Sequence, residues 1–184
     1  MGLLNRYKST MHGNYWKGIC QYGLLIGIGL SLVVLVRYWL MYPISQPVSY
    51  TENFAMLIFM FLAVFFYKRG LEKRKITLKE SYILGFGSGI VASIIYGMFL
   101  FAYAQYIDVD IQQRCFELQR AVKTNANFND EQLMSMVTPS AIAFSGIMLS
   151  SVISILWALI VSIFLRNEKG VLITKEMKNL EKEK

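Results

Sequence analysis

Few side chains in this sequence are of a type that does chemistry, and their spacing brings none of them together. The one histidine, His12, sits in a polar amino-terminal stretch with no cysteine or carboxylate close by. A metal site needs several converging ligands, so His12 reads as a solvated side chain and no metal is expected. The two cysteines, Cys20 and Cys115, fall on opposite sides of the bilayer in the arrangement derived below. A disulfide requires adjacent backbones, so the two cannot bridge within one chain. Cys115 has the option of pairing between chains in an oxidising compartment, and Cys20 reads as a buried apolar filler. There is no Ser-His-Asp set, no carboxylate pair and no metal-ligand spacing, so no enzyme activity, catalytic residue or cofactor is expected. The stretch Gly85-Phe86-Gly87-Ser88-Gly89 has glycines but lacks the preceding strand and the spacing of a dinucleotide loop, and reads as packing.

Proton-coupled transport would call for an ionisable residue inside an apolar segment. Away from the segment ends there is no Asp, Glu, Lys or His, and Gln21, Asn53 and Gln105 lie near boundaries where interfacial hydrogen bonds serve them. Arg37 lies close to a segment end, where its guanidinium can reach the headgroups while its stem stays apolar. Snorkelling is its expected role, with an anion site or an interhelical partner as alternatives.

The elements that would position such groups are themselves apolar. Of the 184 residues 55% are hydrophobic and 17% charged, against about 25% charged in a soluble domain. Tyr22–Val36, Phe54–Tyr67, Ile90–Ala104 and Ala141–Leu165 carry no charged side chain. Roughly 20 apolar residues cross a bilayer as a helix. The spacing predicts one membrane domain over 1–184, with four transmembrane helices at about 19–42, 50–67, 81–107 and 139–165. Pro43 and Pro47 force the first connection. Thr138-Pro139 is a strong helix start, and Gly170 lies where the last helix is expected to have stopped. The first segment is too long for a signal-peptide core and no small-x-small site follows it, so cleavage is not expected.

Orientation follows from charge. The amino terminus, the second loop and the tail at 166–184 hold fifteen of the 19 basic residues. They share one side if the chain crosses four times, and the positive-inside rule makes that side cytoplasmic. This places the chain in the bacterial inner membrane, multi-pass, with both termini inside. The net charge of +7 is thereby explained by lipid topology, and nucleic acid is not an expected partner.

Small residues mark helix faces. Ser81, Gly85, Gly89, Ser93 and Gly97 recur every four positions, as do Gly146, Ser150, Ser154, Ala158 and Ser162, and the first helix has Gly23, Gly27 and Ser31. In lipid, small residues that let backbones approach are the main packing device. Helices one, three and four are therefore expected to form the tight core, with helix two, which lacks a ridge, more peripheral. The same ridges also suit a homodimer.

The segment 108–138 is the one sizeable connection on the opposite side. Ile107, Ile111, Cys115, Leu118 and Val122 follow helical spacing. Asn129 with Gln132 reads as a capping box, and Leu133, Met134, Met136 and Val137 as the apolar side of a second short helix. The expected fold is an all-α integral membrane protein: an antiparallel four-helix transmembrane bundle with a short periplasmic helical hairpin between helices three and four.

These features together resemble a bacterial membrane family of unknown function, DUF4199. The likeness lies in Tyr15-Trp16-Lys17-Gly18 before a glycine-containing first helix, and in a basic loop leading to Ile76-Thr77-Leu78-Lys79-Glu80-Ser81-Tyr82 and Gly85. It continues in Asn129-Asp130-Glu131-Gln132 before Thr138-Pro139, and it covers nearly all of residues 15–167. At Leu78-Lys79-Glu80-Ser81 the chain departs from the family's commoner aromatic-Gly-Gln-Ala-like run. The resemblance implies four helices in the inner membrane and no assigned activity. The expected role is a non-enzymatic accessory or interaction protein whose partners are the lipid bilayer and either a second copy or another membrane protein. The alternative is a small oligomeric transporter or channel with the serines of the fourth helix along its path.

Overall fold

The computed structural model describes residues 2–42, 49–71, 76–122, 134 and 137–166, with the backbone alone for 2–14 and 122. The expectations for His12, for the Asn129–Gln132 capping box, for Gly170 and for the tail beyond 166 therefore lie outside the described side chains. Among the described residues all regular structure is helical: α1 (Gly2–Trp39), α2 (Tyr50–Gly70), α3 (Leu78–Ala102), a π-helical turn (Tyr103–Ile107), α4 (Ile111–Val122) and α5 (Pro139–Leu165).

Helix boundaries follow local chemistry. The first helix begins at Gly2, well ahead of the expected Ile19. Hydrophobicity marks a lipid edge, whereas a helix continues until something breaks it, and the first proline is Pro43. The carboxyl end of α1 also falls short of residue 42. Met41 takes a left-handed φ of 60°, its N–H bonds the Tyr38 carbonyl at 3.1 Å, and the Tyr42 N–H bonds the Arg37 carbonyl at 2.9 Å. These are the two bonds of a Schellman closure, with methionine where glycine is usual.

α2 runs to Gly70, and its 21 residues span about 31 Å at about 1.5 Å each, enough for the hydrocarbon layer. α3 begins at Leu78, ahead of the expected Ser81, because Thr77 and Glu80 form a capping box: Thr77 Oγ1 accepts from Glu80 N at 3.2 Å and Glu80 Oε2 accepts from Thr77 N at 3.0 Å. α5 has the expected bounds. Thr138 Oγ1 caps it, accepting from Ala141 N at 3.3 Å, with Pro139 in the first turn.

α3 is the central element, packed against α1 on one side and α5 on the other. The expected three-helix core is thus a row rather than a triangle, since α1 and α5 barely meet. α2 bridges α1 and α5 and touches α3 less. The interior is built from Leu30, Val34, Met60, Leu84, Ala92 and Leu100, all buried. The outward faces are equally apolar: Leu25, Met98, Val152 and Phe164 are exposed. Four helices are long and apolar enough to cross a membrane, and a continuous exposed apolar surface of this kind suits lipid rather than water.

Candidate functional site: close-packed seams and a buried polar cluster

Each small residue singled out above has a definite place. On the seam between α1 and α3, a methyl group at Gly23 would stand 2.5 Å from Val91 Cβ and 2.9 Å from the Ser88 carbonyl, and one at Gly27 would stand 2.8 Å from Ile95 Cβ. Partner numbers rise together along this seam. On the seam between α3 and α5, Gly85 faces Ala158, Gly89 faces Ser154, and Gly97 faces Ile147 and the Ala143 carbonyl. There the partner numbers run in opposite order. A Cβ at Gly89 would lie 2.5 Å from that of Ser154, closer than carbon atoms pack. Ser93, Gly146 and Ser150 are buried beside these contacts. Ser31 is half-buried and donates to the Gly27 carbonyl at 2.9 Å. α3 lies in the middle because it has small residues on two faces, Gly85, Gly89 and Gly97 toward α5 and Ser88 and Ala92 toward α1.

Four hydroxyls along these seams are turned inward on their own helices, whereas Ser81 Oγ is buried without a partner. Ser88 donates to the Gly85 carbonyl at 3.0 Å, Ser93 to Gly89 at 2.8 Å, Ser154 to Ser151 at 2.7 Å and Ser162 to Ala158 at 2.5 Å. Such back-bonding satisfies a buried hydroxyl without water or ligand.

At the α4 end of the helices lies a cluster of charged groups of which the sequence reading had only the alternative of an interhelical partner for Arg37. Arg37 Nη1 donates to Glu52 Oε1 at 2.6 Å and to Ser49 Oγ at 2.5 Å, while Glu52 Oε2 accepts from Ser49 N at 2.8 Å. Arg37 does not snorkel; it takes the interhelical partner instead. Glu52 is 1% exposed, with Tyr96 of α3 within electrostatic range of both charges. The reason is reciprocal. A carboxylate held in an apolar segment needs a cation, and Arg37 in α1 stands at the matching depth.

Beside it lies a second pair, Asp108 with Arg114, in which Asp108 is 4% exposed and also accepts from the Tyr103 hydroxyl at 2.7 Å. Tyr103 belongs to the π turn that ends α3, and the Asp108 N–H closes that turn on the Tyr103 carbonyl at 2.9 Å. The Tyr38 ring of α1 meets Tyr103 edge-on, with centroids 5.9 Å apart, and its hydroxyl donates to the Ile107 carbonyl at 3.2 Å. The cluster thereby joins α1, α2, the π turn and α4. Glu–Arg and Asp–Arg pairs at matching depth were the available signal, but their pairing depends on which helices adjoin.

Two smaller expectations are corrected. Cys20 is exposed rather than a buried filler, because α1 presents its neighbours Gly18, Ile19 and Gly23 to the interior instead. Asn53 Oδ1 is buried without a partner rather than bonded at an interface. Cys115 is buried, as α4 turns it and Ile111 toward the bundle. Burial pushes its thiol up to about 11, with the Arg114 charge opposing the rise. Among the described residues no three His, Cys, Asp or Glu side chains gather to hold a metal ion. At the opposite end Lys68 Nζ donates to the Leu165 carbonyl at 2.9 Å, satisfying the last turn of α5.

What these seams and pairs can do is fix helices to one another, and the class they define is an all-helical protein with four membrane-length apolar helices. The chain belongs to the DUF4199 family of proteins of unknown function, whose family model matches residues 21–167, from within α1 to just past α5. No curated protein and no solved structure matches it.

Proposed function

We propose that this protein is a non-enzymatic accessory or interaction protein of the bacterial inner membrane, working beside another membrane protein or as a homodimer. In this reading the four long helices form an antiparallel transmembrane bundle, α4 belongs to a periplasmic hairpin, and both termini are cytoplasmic. The lysine and arginine distribution supports the orientation. So does the neutralisation of Arg37 and Arg114, two of the four basic residues assigned to the far side, by buried carboxylates.

One observation carries the choice of an accessory role over a conducting path: Ser154 and Ser162 of α5 are buried and spend their hydroxyls on their own helix. A hydrated path requires hydroxyls that face it.

The discriminating experiment combines the detergent-solubilised mass by light scattering with crosslinking pull-down from native membranes. A monomer or dimer that brings down one reproducible membrane partner supports the accessory role. A defined larger homo-oligomer whose ion flux is lost in Ser150→Leu, with the fold retained, overturns it. Orientation is read separately: on a cysteine-free background, Val109→Cys should react with an impermeant maleimide in intact spheroplasts, and Arg166→Cys should react only after lysis.

A further inference from the structure

We propose that a recess between α1 and α2 binds one acyl chain of an anionic phospholipid, with the phosphate held at Arg69. The proposal rests on the membrane reading above. The recess has a volume of about 170 Å³ and is walled by Tyr22, Leu25 and Ile26 of α1 and by Phe59, Leu62 and Phe66 of α2.

Its existence follows from how the two helices meet. Toward the α4 end they are drawn together where Gly29 admits the Phe59 ring, and a Cβ there would lie 2.8 Å from that ring. Toward the Gly70 end they meet again where Tyr22 and Tyr15 stack edge-on against Tyr67, with centroids 6.3 Å and 6.0 Å apart. Between these two crossings α2 puts Ala63 into the wall, and its short side chain leaves the gap between the helices unfilled.

The wall is almost wholly apolar, and a water inside it would find too few polar partners to stay. Both helices are of membrane length, so the molecule adjoining the opening is a lipid tail. Charge selects the headgroup. Arg69 is exposed one turn beyond Phe66 on the same face of α2, its guanidinium 4.8 Å above the Phe65 ring. A guanidinium held over an aromatic ring is a preorganised phosphate donor. Lys17, exposed on α1, adds a second positive charge toward the same end.

The test reconstitutes the full chain in phosphatidylethanolamine–phosphatidylglycerol liposomes containing a trace of phosphatidylglycerol with a diazirine in its tail. Light-induced adducts are then mapped by mass spectrometry. Adducts are expected severalfold more often on Leu25 and Leu62, which are 61% and 40% exposed, than on Val152 and Phe164, which are 60% and 76% exposed. Leu62→Trp should fill the recess and bring its labelling down to the Val152 level. Arg69→Gln should lower labelling by the phosphatidylglycerol probe severalfold more than that by a phosphatidylethanolamine probe, whose ammonium already offsets its phosphate. Labelling that simply follows exposure, or an Arg69→Gln variant that labels like the parent, overturns the proposal. If no helix is labelled at all, the membrane reading fails and the recess site fails with it.

Discussion

At the scale of single residues, the charged pair Arg37–Glu52 decides most. Glu52 is buried and Arg37 keeps 22% of its side chain exposed, so removing the carboxylate leaves a cation that can partly recover solvation. Glu52→Gln should therefore destabilise by about 1–3 kcal/mol, below the loss typical of a fully buried pair. The double variant Arg37→Met with Glu52→Met should be more stable than the sum of its singles predicts, since neither charge is then stranded; thermal melts in detergent of Arg37→Met, Glu52→Met and the double measure the coupling. An additive double mutant would mean that the pair contributes nothing as a pair.

Cys115 gives a pH dependence with a definite sign. Its thiol moves from 9.0 when free to about 11 when buried, so the folded state holds its proton more tightly than the unfolded one. Stability from this group is complete below pH 9 and declines as pH rises toward 11. The same shift makes it a slow nucleophile near neutrality. Maleimide labelling of folded Cys115 should stay slow at pH 8 and accelerate toward pH 11, and the alkaline fall in melting temperature should disappear in Cys115→Ala.

At the scale of elements, the seams depend on shape more than on attraction. Gly89→Ala places a methyl against Ser154 Cβ at 2.5 Å, and overpacking of this kind typically costs about 1–3 kcal/mol. Ser154→Gly should relieve it, so the pair Gly89→Ala with Ser154→Gly is expected to melt close to the parent. If Ser154→Gly gives no rescue, the contact between α3 and α5 is not the tight one described. The end of α1 offers the opposite sign. Met41 holds φ 60°, a left-handed conformation that costs a side-chain-bearing residue about 1–2 kcal/mol. Met41→Gly should raise stability by about 1 kcal/mol, read as a higher melting temperature, because the Schellman closure wants that backbone already.

At the scale of the whole molecule, α3 is the shared wall of two seams, while α2 packs less extensively, through Met56, Met60 and Val64 and through the polar contacts of Glu52 and Lys68. Order of opening should follow. In hydrogen exchange on the detergent-solubilised protein, amides of α3 between Leu84 and Leu100 should be the most protected, and those of α2 the first to exchange. Glu52→Gln should accelerate exchange in α2 far more than in α5. Equal protection of α2 and α3 would mean that the helices open as one unit.

The sequence by itself determined the number of long apolar helices, the family and the exact start of α5, because each is a local matter: hydrophobic length, a run of short motifs, or a threonine followed by proline. It also contained the four-residue ridges, since helical spacing puts them on one face whatever their partner. It did not say where helices end beyond the lipid edge. The Thr77–Glu80 box was readable and would have moved the start of α3 to Leu78, whereas the closure at Met41 defies the glycine rule and was not. Which charge meets which was decided by the tertiary structure alone. In sequence Arg37 reads as a snorkelling residue, whereas Glu52 of a neighbouring helix pairs with it, and Cys20 reads as buried, whereas α1 turns that side outward. Pairing energies depend on distance and burial, and a sequence carries neither until its helices are set side by side.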